Sequence, residues 1–206
     1  MSQTTETPPR TRPASAQATP VALAASAGGI EALSVVLALL PAGFPAPVIV
    51  LEHLLPDHVS VLPEILDRRT VLRVKEAKAG DRLLPGVVYV APPDSHTTVR
   101  DGQIALDSGP PVRYVRPSAD RLFESLADAF GDLALVVVLS GTGSDGAAGV
   151  RAIKKAGGTV IAQDVETAAF PGMPRAAIDT GAVDAVLSLS EIPAMLVALV
   201  GARGAA

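Results

Sequence analysis

Five short apolar runs, each continuous rather than alternating, constrain this chain more than any other feature. They are Val21–Ala25, Val48–Leu51, Leu133–Leu139, Thr159–Ala162 and Ala185–Leu187. A strand buried on both faces reads as an unbroken apolar run, which happens when helices cover a parallel sheet from both sides. Helical stripes lie between several of the runs. Ile30, Leu33, Val36/Leu37 and Leu40 recur at helical spacing, and Pro41 stops that helix. Asp120–Phe130 and Ala147–Ala156 carry similar stripes, the second closed by Gly157-Gly158. The alternation predicts an α/β fold, a doubly wound, mostly parallel sheet with helices on both faces. Asp81–Asp107 departs from it. Turns at Leu84-Pro85-Gly86, Pro92-Pro93-Asp94 and Asp101-Gly102 separate Val87–Val90, Thr97–Val99 and Gln103–Leu106, which reads as an antiparallel hairpin insertion.

Composition removes most other chemistries. Residues 1–19 hold Thr, Pro, Ser and Ala without apolar periodicity and read as a disordered tail or linker, leaving 20–206 as one folded domain. With no cysteine and three histidines, a disulfide scaffold, a thiolate metal site and a cysteine nucleophile are excluded, and neither metal nor cofactor is expected. Net charge is −4, no Lys/Arg run exceeds two residues and aromatics are 3%, so nucleic acid is not an expected partner. The apolar stretch from Val21 to Phe44 is broken by Gly28-Gly29, Pro41 and Gly43, which argues against membrane insertion. Val21–Ala25 falls short of the roughly 7–15 residues of a signal-peptide core, so a cytoplasmic location is expected.

Ligands of an open parallel sheet bind at the carboxyl ends of its strands. The polar residues directly after the apolar runs are Ser26, then Glu52-His53, then Ser140-Gly141-Thr142-Gly143-Ser144-Asp145-Gly146, then Gln163-Asp164. A serine, a histidine and an aspartate at three strand ends are the types that a nucleophile, its base and an orienting acid require. Ser26 ends a strand and opens a helix, so the N–H groups of Ala27, Gly28 and Gly29 are candidate donors for a tetrahedral oxyanion. The plainer reading makes Ser26 a helix N-cap with glycines supplying a tight turn. His53 is the histidine at a strand end; the plainer alternative is a neutral imidazole bonded at the sheet edge. Glu52 points away from His53 on an extended backbone and is a poor triad acid. His58, beyond Pro56-Asp57 where a helix is expected to begin, reads as a solvated first-turn residue. His96 beside a hairpin turn either lines the pocket or is structural.

Gly141–Gly146 also matches G-x-G-x-x-G between a strand and a helix, with Asp164 placed as a ribose-binding acid, the pattern of a dinucleotide site. Two features oppose an NAD(P)-dependent oxidoreductase. Only 60 residues follow Gly146, and the Asp145 carboxylate inside the loop repels a pyrophosphate. A glycine loop carrying an acid suits a histidine partner better.

Taken together, Ala-Ser26-Ala-Gly-Gly, Glu-His53-Leu-Leu-Pro and Leu-Ser-Gly-Thr-Gly-Ser-Asp145-Gly-Ala-Ala-Gly resemble the catalytic domain of the chemotaxis receptor methylesterases. So do Val88-Tyr-Val-Ala-Pro-Pro with His96, Arg116-Pro-Ser-Ala-Asp-Arg-Leu-Phe123, and Ile161-Ala-Gln-Asp164 with Pro171-Gly-Met-Pro174. The resemblance runs from about Val21 to Leu196. It implies hydrolysis of glutamate γ-methyl esters on methylated chemoreceptor cytoplasmic helices or another methylated protein, and possible deamidation of glutamines. Ser26 matches the family's nucleophile, His53 its base and Asp145 its orienting acid, with Thr142 standing where a backbone N–H of the oxyanion hole is thought to lie. Ala27 replaces the usual threonine, and Glu52 the usual glutamine. Family members commonly begin with a receiver domain of about 120 residues, which the 19-residue tail does not accommodate. A non-catalytic regulatory or interaction domain of the same fold is the alternative this leaves.

Overall fold

The computed structural model describes residues 19–53 and 60–204. The five apolar runs all become strands of one seven-stranded parallel sheet. In chain order the elements are β1 (Val21–Ala25), α1 (Gly29–Ala38), β2 (Val48–Glu52), α2 (Leu62–Asp67), β3 (Arg73–Glu76), β4 (Val87–Val90), β5 (His96–Arg100), β6 (Gln103–Asp107), α3 (Ala119–Phe130), β7 (Leu135–Val138), α4 (Ala147–Lys155), β8 (Thr159–Gln163), α5 (Gly172–Ile178), β9 (Ala185–Leu187) and α6 (Ile192–Gly204). The sheet order is β3-β4-β2-β1-β7-β8-β9. Every residue of β1, β2, β4 and β7 is buried, as continuous apolar runs require.

Strand alternation sorts the core into two layers. Val21, Leu23 and Ala25 of β1 join Leu33 and Leu37 of α1, Leu66 of α2 and Leu196 of α6 on one face. Ala22 and Ala24 join Leu122 and Phe123 of α3, Val150 of α4 and Met173 of α5 on the other. The doubly wound arrangement with helices on both faces is therefore as the sequence pattern implies.

Three local readings change. Val87–Val90 belongs to no hairpin; it is β4, paired in parallel with β2 and β3 inside the main sheet, and among the described strands only β5 and β6 form the separate antiparallel pair. Arg73–Glu76, a polar edge strand, has no apolar run to announce it. Ile30, placed on the buried stripe of α1, is 39% exposed, while Ala32 and Ser34 are buried instead. Residues 1–18 of the expected tail lie outside the described residues, as do His58 and the helix start expected at Pro56-Asp57. Thr19 is buried where β1 begins. No described helix is long and apolar enough to cross a membrane.

The chain starts at β1 in the middle of the sheet, builds outward through β2, and then returns to β7 on β1's other side. That reversal is the topological switch point, where a crevice opens at the strands' carboxyl ends. Ser26, His53 and Asp145 all emerge there.

Candidate active site

Register places the serine and the histidine side by side. Ala25 pairs with Glu52, and His53 N–H donates to Ala25 O at 3.3 Å, extending the ladder by one residue. Ser26 and His53 are the next residues on each strand, and alternation turns both toward the α3/α4 face. Glu52 turns the opposite way. Its carboxyl lies against Gly29, where a Cβ would overlap Oε2.

Asp145 meets His53 from the third strand end. His53 Nε2 lies 2.9 Å from Asp145 Oδ2, with the two side chains 11% and 4% exposed. The carboxylate accepts three more hydrogen bonds, from Ser118 Oγ at 2.8 Å, Ala119 N at 2.6 Å and Asp120 N at 3.2 Å. Ala119 and Asp120 open α3, so Asp145 supplies the anion that the orphan N–H groups of that helix need. Ser118, the N-cap by position, donates its hydroxyl to Asp145 instead of capping. Asp120 returns the arrangement: its Oδ1 accepts from Ala148 N and Gly149 N, each at 2.9 Å, in the first turn of α4. The two helices thus cap each other through one aspartate each. Burial pushes the Asp145 carboxyl up, but hydrogen bonds from His53, Ala119 and Ser118, with the histidine charge, outweigh it and hold Asp145 below the ordinary carboxylate range.

Ser26 is not an N-cap. The cap of α1 is Gly28, at φ 72° and ψ 4°, with no side-chain capping bond. Gly29 N–H donates to Ser26 O at 2.6 Å, so of the three expected oxyanion donors Gly29 is already engaged. The N–H groups of Ala27 and Gly28 make no hydrogen bond among the described residues. Gly141 lets the third strand end approach Ser26: a Cβ there would stand 3.0 Å from Ser26 Cβ and overlap Met173 Sδ. Thr142 follows it, exposed, on the crevice rim. Ser26 Oγ makes no hydrogen bond among the described residues, so the contact formed is histidine to aspartate. Catalytic links are often long before substrate binds.

The family model for CheB methylesterase matches residues 21–196. The chain belongs to the CheB methylesterase family. It is 44% identical over 177 residues to the protein-glutamate methylesterase FrzG of Myxococcus xanthus, covering 85% of this chain and 53% of that protein. It is also 44% identical over 177 residues to a protein-glutamate methylesterase/protein-glutamine glutaminase of Caulobacter vibrioides, covering 84% and 51%. The Thermotoga maritima CheB methylesterase catalytic domain superposes with a TM-score of 0.85 at 36% identity, covering 89% of this chain and 99% of that one. The chain spans about half the length of the curated relatives it matches.

As a member of the CheB methylesterase family the chain is related to carboxylic ester hydrolases, and the glycine loop is not shaped for a dinucleotide. The first-turn N–H groups of α4 that a pyrophosphate would use are occupied by Asp120. Asp164, the expected ribose acid, accepts from Glu166 N at 3.0 Å within its own loop. His96 is structural: it is fully buried on β5, with Nε2 3.0 Å from Pro110 O. No group of three or more His, Asp or Glu among the described residues is placed to hold a metal.

Sequence reading passed over Ser118, Ala119, Asp120 and Ser140 as working parts. Ser140 was visible only as the polar residue opening the glycine loop. Its hydroxyl donates to Ala27 O at 2.8 Å and accepts from Phe170 N at 3.0 Å. Glu52 is 5% exposed, and its Oε2 has no partner among the described residues. Burial pushes its pKa up to about 8, so at neutral pH the protonated form of this neighbour of His53 is favoured.

Proposed function

We propose that this chain hydrolyses glutamate γ-methyl esters on proteins by serine catalysis, with Ser26 as nucleophile, His53 as base and Asp145 as orienting acid. The 2.9 Å contact between His53 Nε2 and Asp145 Oδ2, one register step from Ser26, carries the reading. Because Asp145 occupies Nε2, the proton of Ser26 passes to Nδ1, the ring nitrogen without a partner among the described residues. Ser26 Oγ attacks the ester carbonyl, and the N–H groups of Gly28 and Ala27, with that of Thr142 across the crevice, receive the oxyanion. His53 returns the proton to the departing methoxide, and methanol leaves an acyl-enzyme. Water, deprotonated at the same nitrogen, then releases the glutamate carboxylate.

The substrate proposed is a methylated helix of a chemoreceptor's cytoplasmic region, or another methylated protein, since the relatives are named for protein glutamate. The Caulobacter vibrioides relative is also named a protein-glutamine glutaminase. The same machinery serves a side-chain amide if ammonia replaces methanol as the leaving group. Methanol release from a methylated receptor is the test. Ser26→Ala is expected to lose about 10⁴-fold or more of the rate. Undiminished release, or failure of folded parent protein to label with a fluorophosphonate, would refute serine catalysis and favour a non-catalytic domain of this fold.

A further inference from the structure

Ser26 to Gly29 forms a tight turn whose middle peptide, between Ala27 and Gly28, decides where an oxyanion donor points. Gly29 N–H closes the turn on Ser26 O at 2.6 Å. Gly28 lies at φ 72° and ψ 4°, whereas Ala27 is absent from the positive-φ residues. That combination is a type II turn, with glycine at its third position. A type I turn differs mainly by a flip of the same middle peptide, and glycine accepts both signs of φ about equally. Closure of the turn alone therefore leaves the Gly28 N–H free to face either way.

We propose that Ser140 is a positioning residue which fixes this peptide so that the Gly28 N–H faces the oxyanion. The inference rests on the reading of Ser26 as nucleophile. A trans peptide directs its C=O and N–H oppositely. By donating to Ala27 O at 2.8 Å, the Ser140 hydroxyl therefore turns the Gly28 N–H away from β7. The oxygen of that hydroxyl accepts from Phe170 N–H at 3.0 Å, and Ala27 O is much the nearer acceptor for its proton, Phe170 O standing at 3.5 Å. The backbone of Ser140 is equally constrained. Its N–H donates to Gln163 Oε1 at 2.9 Å, and its carbonyl accepts from Ser26 N at 3.0 Å. Gln163 is anchored in turn by donation to Thr167 O at 2.9 Å. Gly28 leaves room for the device, since a Cβ there would stand 2.9 Å from Ser140 Oγ. Ser140 is 1% exposed and acts on the reaction through the turn.

The test compares methanol-release kinetics on methylated receptor for the parent chain, Ser140→Ala, Ser140→Cys, Ser140→Thr and Ser26→Ala, with melting curves for each. Ser140→Ala is expected to lower kcat about ten- to a hundred-fold, less than deletion of an oxyanion donor outright. KM should stay within about twofold, as for a group acting only in the transition state. The acid limb of the pH–rate profile should not move, because His53 and Asp145 are untouched. Ser140→Thr keeps the hydroxyl and should return most of the rate. Ser140→Cys keeps the volume but donates weakly, and should lose rate even if the alanine variant is too unstable to assay. A folded Ser140→Ala or Ser140→Cys with kcat within about twofold of the parent overturns the proposal. So does a rise in KM alone, or a shifted acid limb at an unchanged plateau. If instead Ser26→Ala keeps its activity, the nucleophile assignment fails, and the role of Ser140 fails with it.

Discussion

Glu52→Gln should make the chain more stable, by an amount that grows with pH. In the folded protein the Glu52 carboxyl is buried under the start of α1, against Gly29, and burial pushes its pKa from the ordinary 4.5 up to about 8. The N-terminus of α1 favours an anion by only about 0.3–1 kcal/mol. The span from 4.5 to about 8 corresponds to about 5 kcal/mol against ionisation at ~1.4 kcal/mol per pH unit, so burial wins. The sign follows from proton counting. Below about pH 4.5 both folded and unfolded chains carry the proton, and Glu52 contributes no pH dependence. Between about 4.5 and about 8 the unfolded chain has lost it while the folded chain keeps it, so stability falls by ~1.4 kcal/mol per unit as pH rises. Above about 8 both are ionised and the penalty is constant. Glutamine cannot ionise, and any cost of its own buried amide is the same at every pH. Urea unfolding of both proteins at about pH 5, 6, 7 and 8 isolates the effect, since other groups titrate alike in the two chains. The gain of the variant should rise by about 3–4 kcal/mol across that range. A difference flat to within about 0.5 kcal/mol would refute a buried neutral Glu52.

Two further outcomes follow from the contacts at the strand ends. Asp145→Asn should lower methanol release by about 10⁴-fold, as expected when the orienting acid of a triad is neutralised. It should also cost about 1–3 kcal/mol at neutral pH, because α3 loses a charged partner for Ala119 N and Asp120 N. Since the folded pKa of Asp145 is depressed, its stabilisation is complete above the unfolded value of about 4 and is lost as pH falls below it. The stability difference between parent and variant should therefore shrink in acid, and acid titration of unfolding checks it. Gly141→Ala places a methyl against Met173 Sδ and 3.0 Å from Ser26 Cβ. It should cost activity about tenfold or more, as small misplacements at a reacting centre do. Activity should recover in part when Met173→Ala opens the space; no recovery in the double variant would show that contact with Ser26 alone is responsible.

How far the sequence carries the site depends on whether a residue's partner lies on its own element. Continuous burial is a local property, so β1, β2 and β7 were legible as apolar runs, and alternation alone separated Glu52 from His53. An acid among glycines, where a phosphate would be repelled, pointed to a histidine partner, and Asp145 lies 2.9 Å from His53. Val87–Val90 was equally visible as a run, yet its assignment to a hairpin failed because its partners β2 and β3 are chosen across the fold while its flanking turns are local. Arg73–Glu76 left no trace, since an edge strand with exposed ends needs no apolar run. The exchange between Asp145 and Asp120 is hidden for the same reason: each caps a helix to which it does not belong, so neither stands at its own N-cap. The opening Ser-Ala-Gly-Gly read as a capped helix start because its local composition fits one. What decides otherwise is the turn itself: Gly29 N–H, a donor that a capping serine hydroxyl would take, closes on Ser26 O at 2.6 Å, and Gly28 stands at the cap instead. The free hydroxyl of Ser26 thus follows from a backbone turn that spends this donor on a carbonyl, while Ser140, more than a hundred residues away, holds the Ala27 carbonyl of the same turn.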